Sequence, residues 1–531
     1  MSEKTQKILR VIGYVMGAVL AVLSIVLIVL AIITKAVPTE YVIVFSILLF
    51  ALIVGILFMQ RWVVPGIIGK ILALALVVVL AIGCSYLTYT LKKLKAMSSV
   101  HTQVDTIKVY VLKEDLATNL SQAKNYRFGI MRELDRENTD KMIAEVENEM
   151  GQALATTEYE SAYDLVDALC NKDCDAIILN GAYEGILKDT QGYEEFETKV
   201  KEIGKREIVS TFEEFEVPED YLYGGEHIFT VYISGADVEG KPSTNDRSDV
   251  NILMTVNLDT RQILLISTPR DYYIPLSISN GQKDKLTHAG MYGVDCSKDT
   301  LSMLYNVTVD DYIKINFTGF EQIIDAIGGI TVHSDYAFSI EECSYVVGDN
   351  TCNGRQALMF ARARKPFMDG DRQRGRNQMA VIQAIVDKLS ASNIISNYKQ
   401  LLDEVSGCMI TSMSYDEIAD LVKFQLADMR GWEILKYSVT GADSMNTTYS
   451  GGSQELYVMV PDEATVDQAK EYLRLMYQNK IIEVMPEFVE EGQQGVVTTE
   501  AQTDESGVTG NIEEVTTEEM EVTIETPVVE E

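Results

Sequence analysis

Three apolar runs open the chain. No charge interrupts VIGYVMGAVLAVLSIVLIVLAII from Val11 to Ile33, and similar runs extend from Tyr41 to Met59 and from about Gly66 to Tyr89. Each reaches the roughly 20 residues that a helix needs to cross a bilayer core. A cleaved signal peptide, with an apolar region of about 7 to 15 residues, does not fit three successive spans. The pattern predicts a retained three-helix membrane anchor over residues 1–97.

Periodicity then changes. In residues 98–222, TIKVYVL (Thr106 to Leu112) and DAIILN (Asp175 to Asn180) read as strands, while SAYDLVDALCN and GYEEFETKVKEIG read as helices. This predicts a small α/β accessory domain, either a spacer or scaffold or a ligand-binding or regulatory unit. Residues 223–482 are strand-rich α/β. IFTVYISG is a strand, and VNILMTVNLDTRQILLIS is a hairpin joined through Asp259, Thr260 and Arg261. Phe320, Ile323, Ile324 and Ile327 form a helix stripe closed by Gly328 and Gly329; Met379, Ile382, Val386 and Leu389 mark another helix. The expected fold class is therefore α/β, with three N-terminal transmembrane helices, the small domain, and a larger α/β domain whose central sheet is flanked by helices.

Charge divides the chain further. Of 531 residues, 79 are acidic and 45 are Lys or Arg, a formal net charge of −34, but Lys480 is the last basic residue. Residues 483–531 read as an acidic disordered tail. Lys4, Lys7, Arg10, Arg61 and Lys70 favour a cytoplasmic N-terminus, Lys92, Lys93 and Lys95 oppose it, and the first helix is given the deciding weight. Of seven cysteines, Cys343 and Cys352 flank a turn and are expected to form a disulfide; Cys170 and Cys174 suit a bridge or free core thiols equally.

Against this acidity, FARARKPFMDGDRQRGRNQ (Phe360 to Gln378) gathers Arg362, Arg364, Arg372, Arg374 and Arg376. Spacings of two predict extended segments, each projecting its arginines to one side of the chain. Planar guanidinium groups suit phosphate oxygens; a solvated basic face is the other reading. Nucleic acid is disfavoured, since the chain has an anchor, an acidic tail and no aromatic-interleaved basic repeat. Upstream, Asp237, Asp246, Arg247, Asp249, Arg270 and Asp271 lie at predicted strand ends. Residues there are often plain turn formers. Combined with the arginines, they supply hard oxygens for a divalent ion and forks for the remaining phosphate charge.

In order and spacing, GADVEG, DRSDVNILMTVN, ISTPRD, KLTHAGMYG (Lys285 to Gly293), DYIKINFTGF (Asp311 to Phe320), IDAIGGITV and GRQALMFARARKPFMDGDRQRGRNQ resemble the LytR-CpsA-Psr family of cell-wall glycopolymer ligases. The three-span anchor, the interposed small domain and VTGADSMNTTYSGGSQELYVMVPDE (Val439 to Glu463) look like its capsule-associated CpsA branch. The resemblance implies a multi-pass bacterial membrane protein with a cytoplasmic N-terminus and an extracytoplasmic enzyme. That enzyme would transfer a glycopolymer, capsular or teichoic-acid-like, from a polyprenyl-pyrophosphate carrier to peptidoglycan through a phosphodiester.

It also implies Mg2+ (or Mn2+) at Asp237 and Asp249, and Arg247, Arg270, Arg362, Arg364, Arg374 and Gln378 around the pyrophosphate. Arg270, Arg362, Arg364 and Asp249 join Asp271 and Asp371 as the catalytic set. One of the last two is expected to fix an arginine or act as general base. Fixing is favoured, because a carboxylate among arginines holds its proton weakly. Phe317, Phe320, Ile324 and Ile327 would line an apolar pocket for the lipid, although such spacing also marks plain core. Asn377 stands where many members carry arginine, and Arg372 and Arg376 are expected to be rim charges. The competing functions are hydrolysis of the same lipid pyrophosphate and non-catalytic regulation of polymer export.

Overall fold

The computed structural model describes residues 3–35, 37–97, 103–210, 215–225, 227–236, 245–367, 370–390 and 408–483. Three helices, α1 (Glu3–Ile33), α2 (Thr39–Met59) and α3 (Val63–Met97), are long and apolar enough to cross a membrane. Leu20, Leu27, Leu49, Ile56 and Leu80 pack at their common core.

The accessory region is a five-stranded sheet in the order β3-β2-β4-β1-β5, from β1 (Gln103–Leu112), β2 (Arg127–Met131), β3 (Ala155–Tyr159), β4 (Ala176–Asn180) and β5 (Val200–Ser210). The helices α4 (Arg136–Met150), α5 (Ala162–Cys170) and α6 (Tyr183–Asp189) accompany it. Along β1 the alternation works as strand geometry requires: Ile107, Val109 and Val111 enter one core, Tyr110 and Leu112 the other. Ser161 caps α5 by accepting from the Asp164 amide.

The helix expected over GYEEFETKVKEIG is a single turn, Phe196–Lys199, running into β5. Ten residues of β1 offer an antiparallel edge, and pairing from Leu112↔Val200 to Gln103↔Ser210 buries Ile203 and Ile208, so tertiary pairing overrides the local pattern.

Asp135, between β2 and α4, sits with Asp105 at the end of this sheet. Burial pushes its carboxyl up to about 7 and Asp105 adds to the rise, against hydrogen bonds from the side-chain amides of Asn180 and Asn138. A folded-state value above the ordinary carboxylate value near 3.8 means that the fold holds a proton the unfolded chain releases. The penalty is therefore fully present above pH about 7 and is relieved as pH falls toward about 4. Asp135→Asn is expected to melt higher relative to the native chain at pH about 7.5 than at pH about 5. Thermal scans showing a pH-independent difference would contradict this.

The larger sheet has the order β10-β9-β6-β7-β8-β11, from β6 (Ile228–Ala236), β7 (Val250–Asn257), β8 (Gln262–Ser267), β9 (Asp311–Asn316), β10 (Met409–Thr411) and β11 (Glu433–Ser438). The predicted hairpin is present, its turn closed by Asn257 Oδ1 accepting from the amides of Asp259 and Thr260. In β8, Leu264 and Ile266 face one core with α7 (Val294–Tyr305) and Val466, Tyr472 and Leu473 of the C-terminal helix. Ile263 and Leu265 face the other with Met379. Helix α8 (Phe317–Ala326) starts at Asn316, which caps Gly319, and α9 (Gly354–Arg362) starts with a capping box between Asn353 and Gln356. Then come α10 (Gly370–Ser390), α11 (Tyr415–Asp428) and α12 (Glu463–Tyr477).

Helix α11 joins this region to the anchor: Asp416 pairs with Lys35 at 2.7 Å and Tyr415 Oη donates to the Thr34 carbonyl at 2.6 Å. Cys343 and Cys352 do not form the expected bridge; both are buried free thiols. The flanks of the turn belong to different hairpins, since 343–345 pairs with 338–340 and 348–352 pairs with 330–334. Cys170 is exposed and Cys174 buried, and both are free. The acidic stretch beyond Glu483 lies outside the described residues.

Candidate functional site

Strand directions bring the chemistry to one edge of the larger sheet. Strand β7 is antiparallel to β6 and β8, while β9 runs parallel to β6 and β11 parallel to β8. The start of β7, with Asp249, therefore lies beside the carboxyl ends of β6, β8, β9 and β11, where α/β folds place ligand sites.

Arg270, just beyond β8, is the hub. Its Nη1 donates to Asp249 Oδ1 at 2.8 Å and its Nε to Asp271 Oδ2 at 3.4 Å. Burial works against this guanidinium's charge, but Asp249 and Asp271 more than compensate and raise its pKa. Burial alone would raise the Asp271 carboxyl as well; Lys285, at 3.1 Å, and Arg270 overcome that and hold it below the usual range. Asp271 thus tethers two cations, and their charge weakens its hold on a proton.

The arginine stretch supplies the opposite wall, in a different conformation from the one expected. Arg362 ends α9, Arg364 lies in the connection, and Arg372, Arg374 and Arg376 belong to the first turns of α10. A helix separates residues two apart by about 200°, so these arginines diverge. Arg374 is 9% exposed, with Nη2 2.7 Å from Asp371 Oδ1; Arg364 Nε reaches the same oxygen at 3.3 Å. These are ion pairs with off-line geometry, because that oxygen accepts no hydrogen bond. Arg372 donates to the Gly441 carbonyl at 3.1 Å and Arg376 to Gln373 at 2.7 Å, consistent with rim roles. A β-carbon on Gly375 would lie 2.7 Å from Ser267 Oγ, so this glycine lets α10 press onto the end of β8 beside Arg270.

Around this centre, the other expected residues occupy distinct places. Arg362 stacks its guanidinium 4.3 Å above the Phe317 ring, at the margin of the apolar core that holds Ile324. Phe317 and Phe320 are partly buried against that apolar core, whereas Ile324 and Ile327 lie within it. Gln378 donates to the Ala361 carbonyl at 3.4 Å and Asn377 to the Phe360 carbonyl at 3.0 Å, so both tie α10 to α9. Arg247 lies against Gly185 of the accessory region. Asp237 lies outside the described residues.

Two lysines of the site escaped the sequence reading. Lys285 pairs with Asp271, and its chain position is locked by buried Asp284, which contacts His288 Nδ1 at 2.7 Å and accepts the Ser450 amide at 2.7 Å. Its signal was its place at the head of KLTHAGMYG. Lys314, in β9, is 1% exposed; burial pushes it down to about 8, and its Nζ donates to the Asp246 carbonyl at 2.8 Å. Its signal was the one cation within the strand DYIKIN, between two isoleucines.

Four cations, Arg270, Lys285, Arg364 and Arg374, thus converge with three carboxylates, Asp249, Asp271 and Asp371. Such a cluster, with one more cation than carboxylates, has the chemistry to hold an anion, on an α/β scaffold carried by membrane-length helices. Residues 189–471 match the model of the LytR_cpsA_psr family, which is more than half of the chain, and the chain belongs to that family. It is similar to the polyisoprenyl-teichoic acid–peptidoglycan teichoic acid transferase TagU of Enterococcus faecalis, 34% identical over 193 residues, 36% of this chain and 63% of that protein. TagU of Bacillus subtilis is 34% identical over 194 residues, 36% of this chain and 62% of that one. The chain thus spans less than two thirds of the length of these curated relatives. The crystal structure of B. subtilis TagV superposes with a TM-score of 0.41 at 24% identity, covering 48% of this chain and 98% of that one.

Proposed function

We propose that the protein is an extracytoplasmic phosphotransferase, which moves a glycopolymer from a polyprenyl-pyrophosphate carrier to peptidoglycan and leaves a phosphodiester. The observation that carries this reading is the Arg270–Asp249 and Arg364–Asp371–Arg374 cluster at the carboxyl edge of the sheet, with Arg362, two residues before Arg364, stacked on Phe317. The guanidinium groups suit the pyrophosphate, and the aromatic edge suits the first isoprene units. Attachment of α11 to the anchor keeps the site near the lipid surface. The names of the relatives support a glycopolymer and a peptidoglycan acceptor; a capsular polymer is the finer reading suggested by the CpsA-like features.

In the reaction, an acceptor sugar hydroxyl, that of C6 of N-acetylmuramic acid, attacks the phosphorus nearer the donor sugar. A new P–O bond forms, the bridging P–O bond breaks, polyprenyl phosphate departs, and the hydroxyl proton passes to solvent. The chain's own part is to hold donor and acceptor in line and to neutralise charge growing on the bridging oxygen. Arg270, Arg364 and Arg374 do the latter; Asp271 and Asp371 hold those arginines, and Arg247 joins from the accessory side.

Among the described residues no group of three His, Cys, Asp or Glu could hold a metal by itself. Mg2+ takes one or two carboxylates and completes its shell with substrate phosphates, which Asp249, with Asp237 as its expected partner, fits. When bound, the ion would add positive charge at the phosphates.

Incubation of the full chain in micelles with lipid-linked glycan and peptidoglycan tests the proposal. Wall-linked polymer is the expected product. Free glycan phosphate alone would favour hydrolysis, and no turnover at all would favour a regulator of export.

A further inference from the structure

The loop 245–249 reaches the site from the boundary with the accessory domain, which grips its first half. Asn245 is 7% exposed; its side-chain amide donates to the Asp105 carboxylate and, at 3.3 Å, to the Val104 carbonyl. Asp105, on β1, is 1% exposed and is held in turn by the amides of Asn138 at 3.0 Å and Asn180 at 3.3 Å. Arg247 follows, and a β-carbon on Gly185 of α6 would lie 3.1 Å from its Nε. The second half of the loop then belongs to the catalytic sheet. Ser248 Oγ lies 2.8 Å from both Tyr232 Oη and Ser234 Oγ, the Asp249 amide donates to the Gly235 carbonyl at 2.8 Å, and the Asp249 carboxylate meets Arg270.

We propose that Asp105 of the accessory domain, acting through Asn245, is a positioning residue for Arg247 and Asp249. The accessory domain is then part of the scaffold of the site rather than a spacer between membrane and enzyme. A buried hydrogen bond to a carboxylate is costly to leave unmade, so it fixes the start of the loop. Four residues later the same loop presents Asp249 to Arg270, and misplacement by about 1 Å at such a position costs up to about a hundredfold in rate. The catalytic part of this inference rests on the functional reading above; the positioning itself does not.

The test uses the full chain in micelles, with Asn245→Ala, Asp105→Ala, the double variant and Asp105→Asn. Amide hydrogen exchange at Ser248 and Asp249 is read beside kcat and KM for transfer from lipid-linked glycan. Both alanine variants are expected to exchange about tenfold faster at these amides and to lose about ten- to a hundredfold in kcat. The double variant is expected to lose no more than the worse single one, since both break one contact. Asp105→Asn keeps an acceptor oxygen and is expected to recover most of the rate. Should Asp105→Ala fail to fold, Asn245→Ala, which leaves the accessory core untouched, carries the same expectation. Faster loop exchange in the alanine variants, with a native chain that transfers no polymer, would uphold the positioning and remove the functional reading. Unchanged exchange at Ser248 and Asp249, or a native rate from both alanine variants of an active chain, would overturn the proposal.

Discussion

Arg270→Ala is expected to slow polymer transfer by roughly a hundred- to a thousandfold, mainly in kcat, as loss of one charge-stabilising donor does elsewhere. Arg270 is shared between Asp249 and Asp271, with its side chain 21% exposed, so its removal takes away the proposed contact to phosphate and leaves two largely buried carboxylates with reduced compensation. The second effect has its own signature. Lys285 and Arg270 together hold the Asp271 carboxyl below its ordinary value, so without Arg270 that carboxyl holds its proton more strongly. Arg270→Lys restores charge but not the fork that spans both carboxylates, and is expected to recover only part of the rate. Initial rates of wall-linked product decide the matter; an alanine variant within about threefold of the native rate would remove Arg270 from the centre of the site.

What the chain disclosed in advance was mostly local. Long apolar runs marked α1 to α3, the two short apolar runs VNILMTVN and QILLIS marked β7 and β8, and the stripe before Gly328 and Gly329 marked α8, because each signal lies within one continuous stretch of chain. Contributions from distant pairing were hidden. Nothing within 201–210 announces that β1 offers ten residues of edge, and nothing near Cys343 announces that its strand partner is 338–340 rather than 348–352. The arginine stretch failed for a related reason. Gln373, Arg374 and Asn377 occupy the buried face at the start of α10, so a helical period was written there in polar residues that resemble a surface. Lys285 and Lys314 were missed because a lysine's burial is set by residues far along the chain.

The helical conformation makes the arginines unequal, and the largest effect among them is expected at Arg374. Arg372 and Arg376 bond to Gly441 and Gln373, and alanine at either is expected to leave the rate within about threefold of native. Arg374 is different. Burial lowers its proton affinity, Arg364 and Arg270 lower it further, and Asp371 opposes them. Cations crowded in this way are relieved when a pyrophosphate enters, so Arg374→Ala is expected to weaken inorganic pyrophosphate binding and to cost about a hundredfold in transfer. Arg374→Lys tests the cause. An ammonium in that buried place, beside Arg364 and Arg270, loses its proton more readily than a guanidinium, so the lysine variant is expected to gain activity relative to native as pH falls. If Arg374→Lys instead matches the native enzyme at every pH, charge at that point suffices, and neither the buried fork nor the crowding of cations governs the site.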